Sequence, residues 1–155
     1  KLVKKIYINP MYRTLRCDKY RVALMEKILR TYNSASEIDS ENLSINLFLR
    51  SKEELISIAE KILKKVNKKI REKYNFKISK TLVEAGSGSL PIEKMESVAI
   101  LIDSKKISSN KISKKLRSAD TPVFNYINNQ KVYIDLKAIP NNQVNILIKQ
   151  LNTCL

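Results

Sequence analysis

Ile70-Arg71-Glu72-Lys73-Tyr74-Asn75-Phe76-Lys77-Ile78-Ser79-Lys80-Thr81-Leu82-Val83 is the stretch where the chain changes its period. Upstream of it, Leu55, Ile58, Ala59, Ile62, Leu63, Val66, Ile70 and Tyr74 recur at spacings of three and four, the signature of one amphipathic helix. Ser51 and Glu54 form a capping-box pattern at its start, and the spacing predicts a helix of about five to six turns. Beyond Asn75, Phe76, Ile78, Leu82 and Val83 read as extended structure. Helices before this point and strands after it predict an α+β chain.

Towards the start, Leu2, Val3, Ile6 and Tyr7 lie among lysines and read as the end of a helix. Asn9-Pro10 stops it, because proline cannot continue the hydrogen-bond ladder. Asp18 suits an N-cap, and Tyr20, Leu24 and Ile28 repeat every four residues, predicting a helix over 19–32. The polar stretch 33–43 reads as a loop. Towards the end, Val98 to Ile102 is a short apolar run of strand type, and Asn110 to Arg117 a basic helix with Ile112 and Leu116 inward. Residues 122–127 and 131–136 flank Asn128-Asn129-Gln130 as a hairpin. Asn141 is placed as the cap of a last helix carrying Val144, Leu147, Ile148 and Leu151. The expected architecture is three to four strands, largely antiparallel, covered on one face by helices.

The 155 residues suffice for a sizeable core. No apolar run approaches the roughly 20 residues of a membrane helix, so no membrane partner is expected. The chain starts at Lys1 with no signal-peptide pattern, and we expect a segment of a longer protein. Cys17 and Cys154 form no CxxC and no Cys/His cluster, so no metal site is expected, and free thiols fit a cytoplasmic location. Histidine is absent, which removes Ser-His and Cys-His nucleophilic machinery.

Thirty Lys and Arg face fifteen Asp and Glu, a net charge of +15. The usual functional meaning of that bias is contact with nucleic acid; the bland one is a lysine-rich composition that keeps the surface solvated. Lys61, Lys64, Lys65, Lys68 and Lys69 form a stripe on the long helix, and no acidic residue lies from 104 to 117 among Lys105, Lys106, Lys111, Lys114, Lys115 and Arg117. Each stripe reads as a solvated face or as a phosphate contact. Aromatics are few, and the sequence displays no paired exposed Phe or Tyr on a strand.

Two constellations carry chemistry. Arg13 and Arg16 sit three apart before the Asp18 cap, with Lys19 beside it; if 11–17 make a helical turn, both guanidiniums share a face and suit an oxyanion, with Asp18 placed to orient one. The bland alternative is a basic surface turn. The chain's two glycines, where average usage gives roughly ten, both fall in Gly86-Ser87-Gly88-Ser89-Leu90-Pro91. Gly86, Gly88 and Ser89 offer backbone N–H groups and a hydroxyl, yet the run is neither a P-loop nor a GxGxxG, and a tight turn between strands explains it equally.

Read together, Asn9-Pro10-Met11-Tyr12-Arg13-Thr14-Leu15-Arg16-Cys17-Asp18-Lys19, the Gly86–Pro91 run, Leu116-Arg117, Pro122-Val123 and Ile134-Asp135-Leu136 resemble, in order, landmarks of the bacterial L-seryl-tRNA(Sec) selenium transferases, the selenocysteine synthases. Ser87 stands where a third glycine is usual, Asn125-Tyr126 where Gly-Arg is common, and Lys137 where an arginine follows Asp-Leu. The resemblance implies the C-terminal part of a pyridoxal-phosphate enzyme of the aspartate-aminotransferase-like fold (fold type I). Residues 1–50 would close the large domain and form a linking helix, and 51–155 would be the small C-terminal α/β domain. It implies conversion of seryl-tRNA to selenocysteinyl-tRNA with selenophosphate, the cofactor acting as electron sink. The Schiff-base lysine of the family lies upstream, so the resemblance implies no covalent cofactor, no catalytic residue and no activity in this segment alone. Arg13 and Arg16 match arginines that hold the selenium donor. The implied partners are selenophosphate, the selenocysteine tRNA and further copies in a homo-oligomer. A related pyridoxal-phosphate lyase acting on a small amino acid, or a non-enzymatic basic RNA-binding module, are the competing readings.

Overall fold

A computed structural model describes residues 1–32, 42–84 and 94–155. Those residues divide into two compact units, Lys1–Asn46 and Leu47–Leu155. Most of the stretch expected as a loop at 33–43, and the whole glycine run with Gly86, Gly88 and Ser89, lie outside the described residues.

The first unit is helical. Helix α1 (Leu2–Ile8) ends at Asn9 in extended backbone, where Pro10 offers no N–H. Asn9 Oδ1 accepts from Met11 N at 2.9 Å and Asn9 O accepts from Tyr12 N at 2.9 Å, which turns the chain into the short helix α2 (Tyr12–Leu15). The Tyr7 and Tyr12 rings meet across this turn at 5.4 Å between centroids. Helix α3 (Lys19–Thr31) begins at the predicted cap: Asp18 Oδ1 accepts from Tyr20 N and Arg21 N, each at 3.0 Å. Leu24 and Ile28 are 61% and 52% exposed, so the apolar stripe builds a helix but no core within this unit. Helix α4 (Leu43–Leu49) follows, and the division between the units falls inside it.

The second unit holds α5 (Lys52–Lys65), α6 (Lys68–Tyr74), β1 (Phe76–Glu84), β2 (Lys94–Ile102), α7 (Ser109–Arg117), β3 (Tyr126–Asn128), β4 (Lys131–Asp135) and α8 (Val144–Cys154). The capping box is half formed. Ser51 Oγ accepts from Glu54 N at 3.1 Å, while the Glu54 carboxylate turns to Arg50. The single long helix expected over 51–74 is two helices. Val66 is extended at φ −76, ψ 137, and Asn67 caps α6 by accepting from Lys69 N at 2.9 Å. The freed Asn67 N–H donates to Asn152 Oδ1 of α8 at 2.8 Å, so a distant side chain holds the break. Asn75 then closes α6 in the left-handed region (φ 47), where its short polar side chain is tolerated.

The sheet has four strands in the order β1-β2-β4-β3, antiparallel throughout. The β3–β4 hairpin turns on Asn129 and Gln130, both at positive φ (47 and 58), the requirement of a type I′ turn. One face of the sheet carries Val98, Ile100 and Ile102 of β2 with Val132 and Ile134 of β4, all within 1% of full burial. Leu55 and Ile62 of α5, Ile112 and Leu116 of α7 and Leu147 and Leu151 of α8 complete the core there. The α+β architecture with an antiparallel sheet is thus the one expected. The last helix differs at its start. Residues 141–143 form a 3-10 turn, and Asn141 does not cap α8: its Oδ1 accepts from Arg50 Nη2 at 2.7 Å.

Candidate functional site

In the first unit, Arg13 lies within α2 and Arg16 closes it. Arg16 keeps a helical φ of −71, which leaves its Cβ on the helical path, and only its ψ of 140 ends the turn. Both side chains are exposed, and among the described residues neither is engaged in an ion pair. Asp18 is committed elsewhere: its carboxylate caps α3 and its Oδ2 lies 3.3 Å from Arg21 Nε. Any support it gives Arg16 therefore comes from fixing where α3 starts. Lys19 opens α3 with its ammonium 5.8 Å from the Tyr20 ring centroid. Two guanidiniums without carboxylate partners, held on one turn between two helices, are chemically suited to an oxyanion.

The basic stripes are placed differently from expectation. Lys61, Lys64 and Lys65 lie on α5 and Lys68 and Lys69 on α6, so the break at Val66–Asn67 divides what periodicity reads as one face. On α7, Ile112 and Leu116 are buried as expected, and Lys111, Lys114, Lys115 and Arg117 are exposed. Arg117 Nη2 donates to Asn125 O at 2.7 Å, pinning the loop that precedes β3. Lys105 and Lys106 line a shallow cleft with Glu72 and Asp103, whose carboxylates moderate the local positive field.

The sheet's second face holds the groups that one-dimensional reading missed. Strand pairing aligns Lys77, Leu101, Tyr133 and Tyr126 in one row across β1, β2, β4 and β3. Tyr126 and Tyr133 stack with centroids 5.2 Å apart and planes within 5°. The paired aromatics absent from the linear sequence are therefore present as a cross-strand pair, created by the hairpin register. Burial first, then the neighbouring Asp135 charge and Tyr133, push the Tyr126 phenol above its usual range, so it stays neutral and a hydrogen-bond donor. In the adjoining rows the Asp135 carboxylate accepts from Thr81 Oγ1 at 2.8 Å, Ser97 Oγ at 2.7 Å and Lys137 N at 3.0 Å. At the end of β1 and β2 on the other face, a hydrogen bond from Lys52 holds the exposed Glu96 carboxyl below its usual range, aided by the Lys52 and Lys80 charges.

Sequence reading also missed Arg50, one of the few buried cations. Its Nη1 donates to Ile139 O at 2.6 Å and Leu136 O at 3.5 Å, and its Nη2 to Asn141 Oδ1. Its Nε lies 3.5 Å from Glu54 Oε1, close enough for an ion pair but not aligned as a hydrogen bond. Lys137, also buried, donates from Nζ to Arg50 O at 2.7 Å. Among the described residues no cluster of His, Cys, Asp and Glu could hold a metal ion, and no helix is long and apolar enough to cross a membrane.

These features define a basic α+β unit joined to a helical segment with a paired-arginine turn. The chain belongs to the SelA family, L-seryl-tRNA selenium transferase, whose profile matches residues 1–140. Relatives named L-seryl-tRNA(Sec) selenium transferase include proteins of Alkaliphilus oremlandii (34% identical, 96% of this chain, 33% of the relative), Desulfotalea psychrophila (28%, 94% and 31%) and Clostridium botulinum (27%, 100% and 33%). The relatives are enzymes by name, and this chain spans about a third of their length.

Proposed function

We propose that this chain is the C-terminal segment of an enzyme that converts seryl-tRNA(Sec) to selenocysteinyl-tRNA(Sec) with selenophosphate. The observation that carries the reading is the Arg13–Arg16 turn within a chain matched by the family over residues 1–140. Arg13 and Arg16 bind the anionic selenium donor through paired N–H forks. Asp18 and Lys19 fix the start of α3 beside them. Gly86, Gly88 and Ser89 supply backbone N–H groups and a hydroxyl for a phosphate contact. The second unit is the small C-terminal domain of a fold type I enzyme, the location is cytoplasmic, and the active form is a homo-oligomer.

Pyridoxal phosphate would supply an electron sink for the serine carbon. The residues of this chain do not fit its covalent anchor. Lys137, the one buried lysine, has its ammonium on a backbone carbonyl, and the rest are half-exposed or exposed. An enzyme of full family length, reduced with borohydride and digested, is expected to carry its pyridoxyl-lysine outside residues 1–155. A label on any lysine of this chain, or no label on folded protein, defeats the reading.

The charge of +15 favours the tRNA enzyme over a lyase acting on a small amino acid. Affinity for the tRNA is expected to fall steeply between 50 and 200 mM salt, by about tenfold or more for every few phosphates neutralised. Filter binding across that range checks this, and a flat salt profile contradicts it.

A further inference from the structure

Resting on the reading of a tRNA partner, we propose that the β3 edge of the sheet's second face is a base-stacking platform for an unpaired stretch of RNA, centred on Tyr126. The row Lys77–Leu101–Tyr133–Tyr126 runs across all four strands, with an exposed cation at one side, the aromatic stack at the other and Leu101 buried between them. β3 is an edge strand, which makes Tyr126 the outermost ring of the row. One side of that ring lies on Tyr133, in planes 5° apart. Tyr126 remains 40% exposed, so a further planar group can extend the stack from its other side. Ser97, Ala99 and Leu101 of β2 are buried on this face, so the accessible part of the row is its β3 edge. Among the described residues, the helices of this unit pack on the opposite face with Val98, Ile100 and Ile102.

Charge selects the occupant. Lys77 is exposed on the face, and Arg117 holds the backbone immediately before Tyr126. The acidic groups there are already engaged: Asp103 lies 3.3 Å from Lys131 Nζ, and Asp135 accepts from two hydroxyls and a backbone N–H. An acidic or apolar peptide would leave the ring stack unused. An RNA strand supplies both phosphates for the cations and a π-face for the tyrosine. The strand must be unpaired, because duplex bases already stack on one another.

The chain has no tryptophan, so Tyr126→Trp places a single indole reporter on the platform. Its emission is expected to be quenched by a single-stranded RNA decamer and unchanged by the same decamer annealed to its complement. Tyr126→Leu keeps apolar bulk in β3 and is expected to weaken single-strand binding roughly 5- to 100-fold, with Tyr126→Phe within about twofold of the parent. Circular dichroism confirms that each variant is folded, and the Phe variant serves if Leu unfolds the hairpin, since it then carries the ring without the hydroxyl and must still bind. An unquenched indole, or wild-type single-strand affinity in a folded Leu variant, overturns the platform. In that case retained tRNA binding leaves the tRNA reading standing. If the unaltered chain binds neither tRNA nor decamer, both readings fall.

Discussion

Arg13→Ala and Arg16→Ala are each expected to reduce selenium transfer by about 100-fold or more in an enzyme of full family length, while tRNA affinity stays within about twofold. Each guanidinium is exposed and, among the described residues, without a carboxylate partner, so its donors are available to a ligand. A hydrogen bond to a charged group contributes about 1.5–3 kcal/mol, and a fork makes two of them. Losing the fork therefore costs roughly 3 kcal/mol, about two decades in rate constant. Arg13→Lys and Arg16→Lys keep the charge but not the planar fork, and should fall between the parent and the alanine variants. Neither side chain contributes to a core, so the variants should melt with the parent. Transfer of labelled selenium to pre-charged seryl-tRNA, with filter binding in parallel, separates the two effects. Wild-type transfer in both alanine variants would remove these residues from the site. Loss of tRNA binding along with transfer would make them part of the RNA interface instead.

Local signals carried most of the secondary structure. Asp18 caps α3, Ser51 starts α5, and the apolar runs of β1, β2 and α7 lie where their periods put them. The break at Val66–Asn67 escaped because Val66 and Ile70 keep the helical spacing across it. What opens the helix is Asn152, which lies 85 residues downstream and accepts the Asn67 N–H. Asn141 was misplaced for a similar reason. A cap residue before an apolar run looks local, yet its side chain answers Arg50, 91 residues upstream. The Tyr126–Tyr133 stack is likewise invisible without the hairpin register, since seven positions separate the rings along the chain and one hydrogen-bonded pair joins them in the sheet. The Arg13–Arg16 turn was readable because everything that shapes it, from Asn9 to Asp18, is within ten residues.

Arg50 leads to the largest expected effect on stability. The guanidinium is buried at the start of α5 and satisfies the carbonyls of Leu136 and Ile139 and the side chain of Asn141. Those acceptors belong to the segment between β4 and α8, where Leu136 O also accepts from Ile139 N at 3.2 Å. Its backbone oxygen in turn accepts the buried Lys137 ammonium, and Lys137 N donates to Asp135, so one polar chain links the start of α5 to the second face of the sheet. Arg50→Ala leaves the Ile139 carbonyl without its donor, at about 1–3 kcal/mol, and removes the longer contact to Leu136 O, which keeps the Ile139 N–H at 3.2 Å, and the contact to the exposed Asn141. The Glu54 carboxylate is 45% exposed and can return to solvent, so no buried charge is stranded and the total stays near 3 kcal/mol. That is a large part of the roughly 5–15 kcal/mol that holds a domain folded. Urea unfolding followed by circular dichroism should show the midpoint falling with an unchanged slope. Arg50→Lys, which can restore one donor to Ile139 O, should recover part of the loss, and Asn141→Ala should cost about 1 kcal/mol because one contact goes while the two carbonyls keep their partner. An Arg50→Ala midpoint equal to the parent's would mean that water satisfies these acceptors as well as the guanidinium does. The second unit would then be held by its apolar face alone.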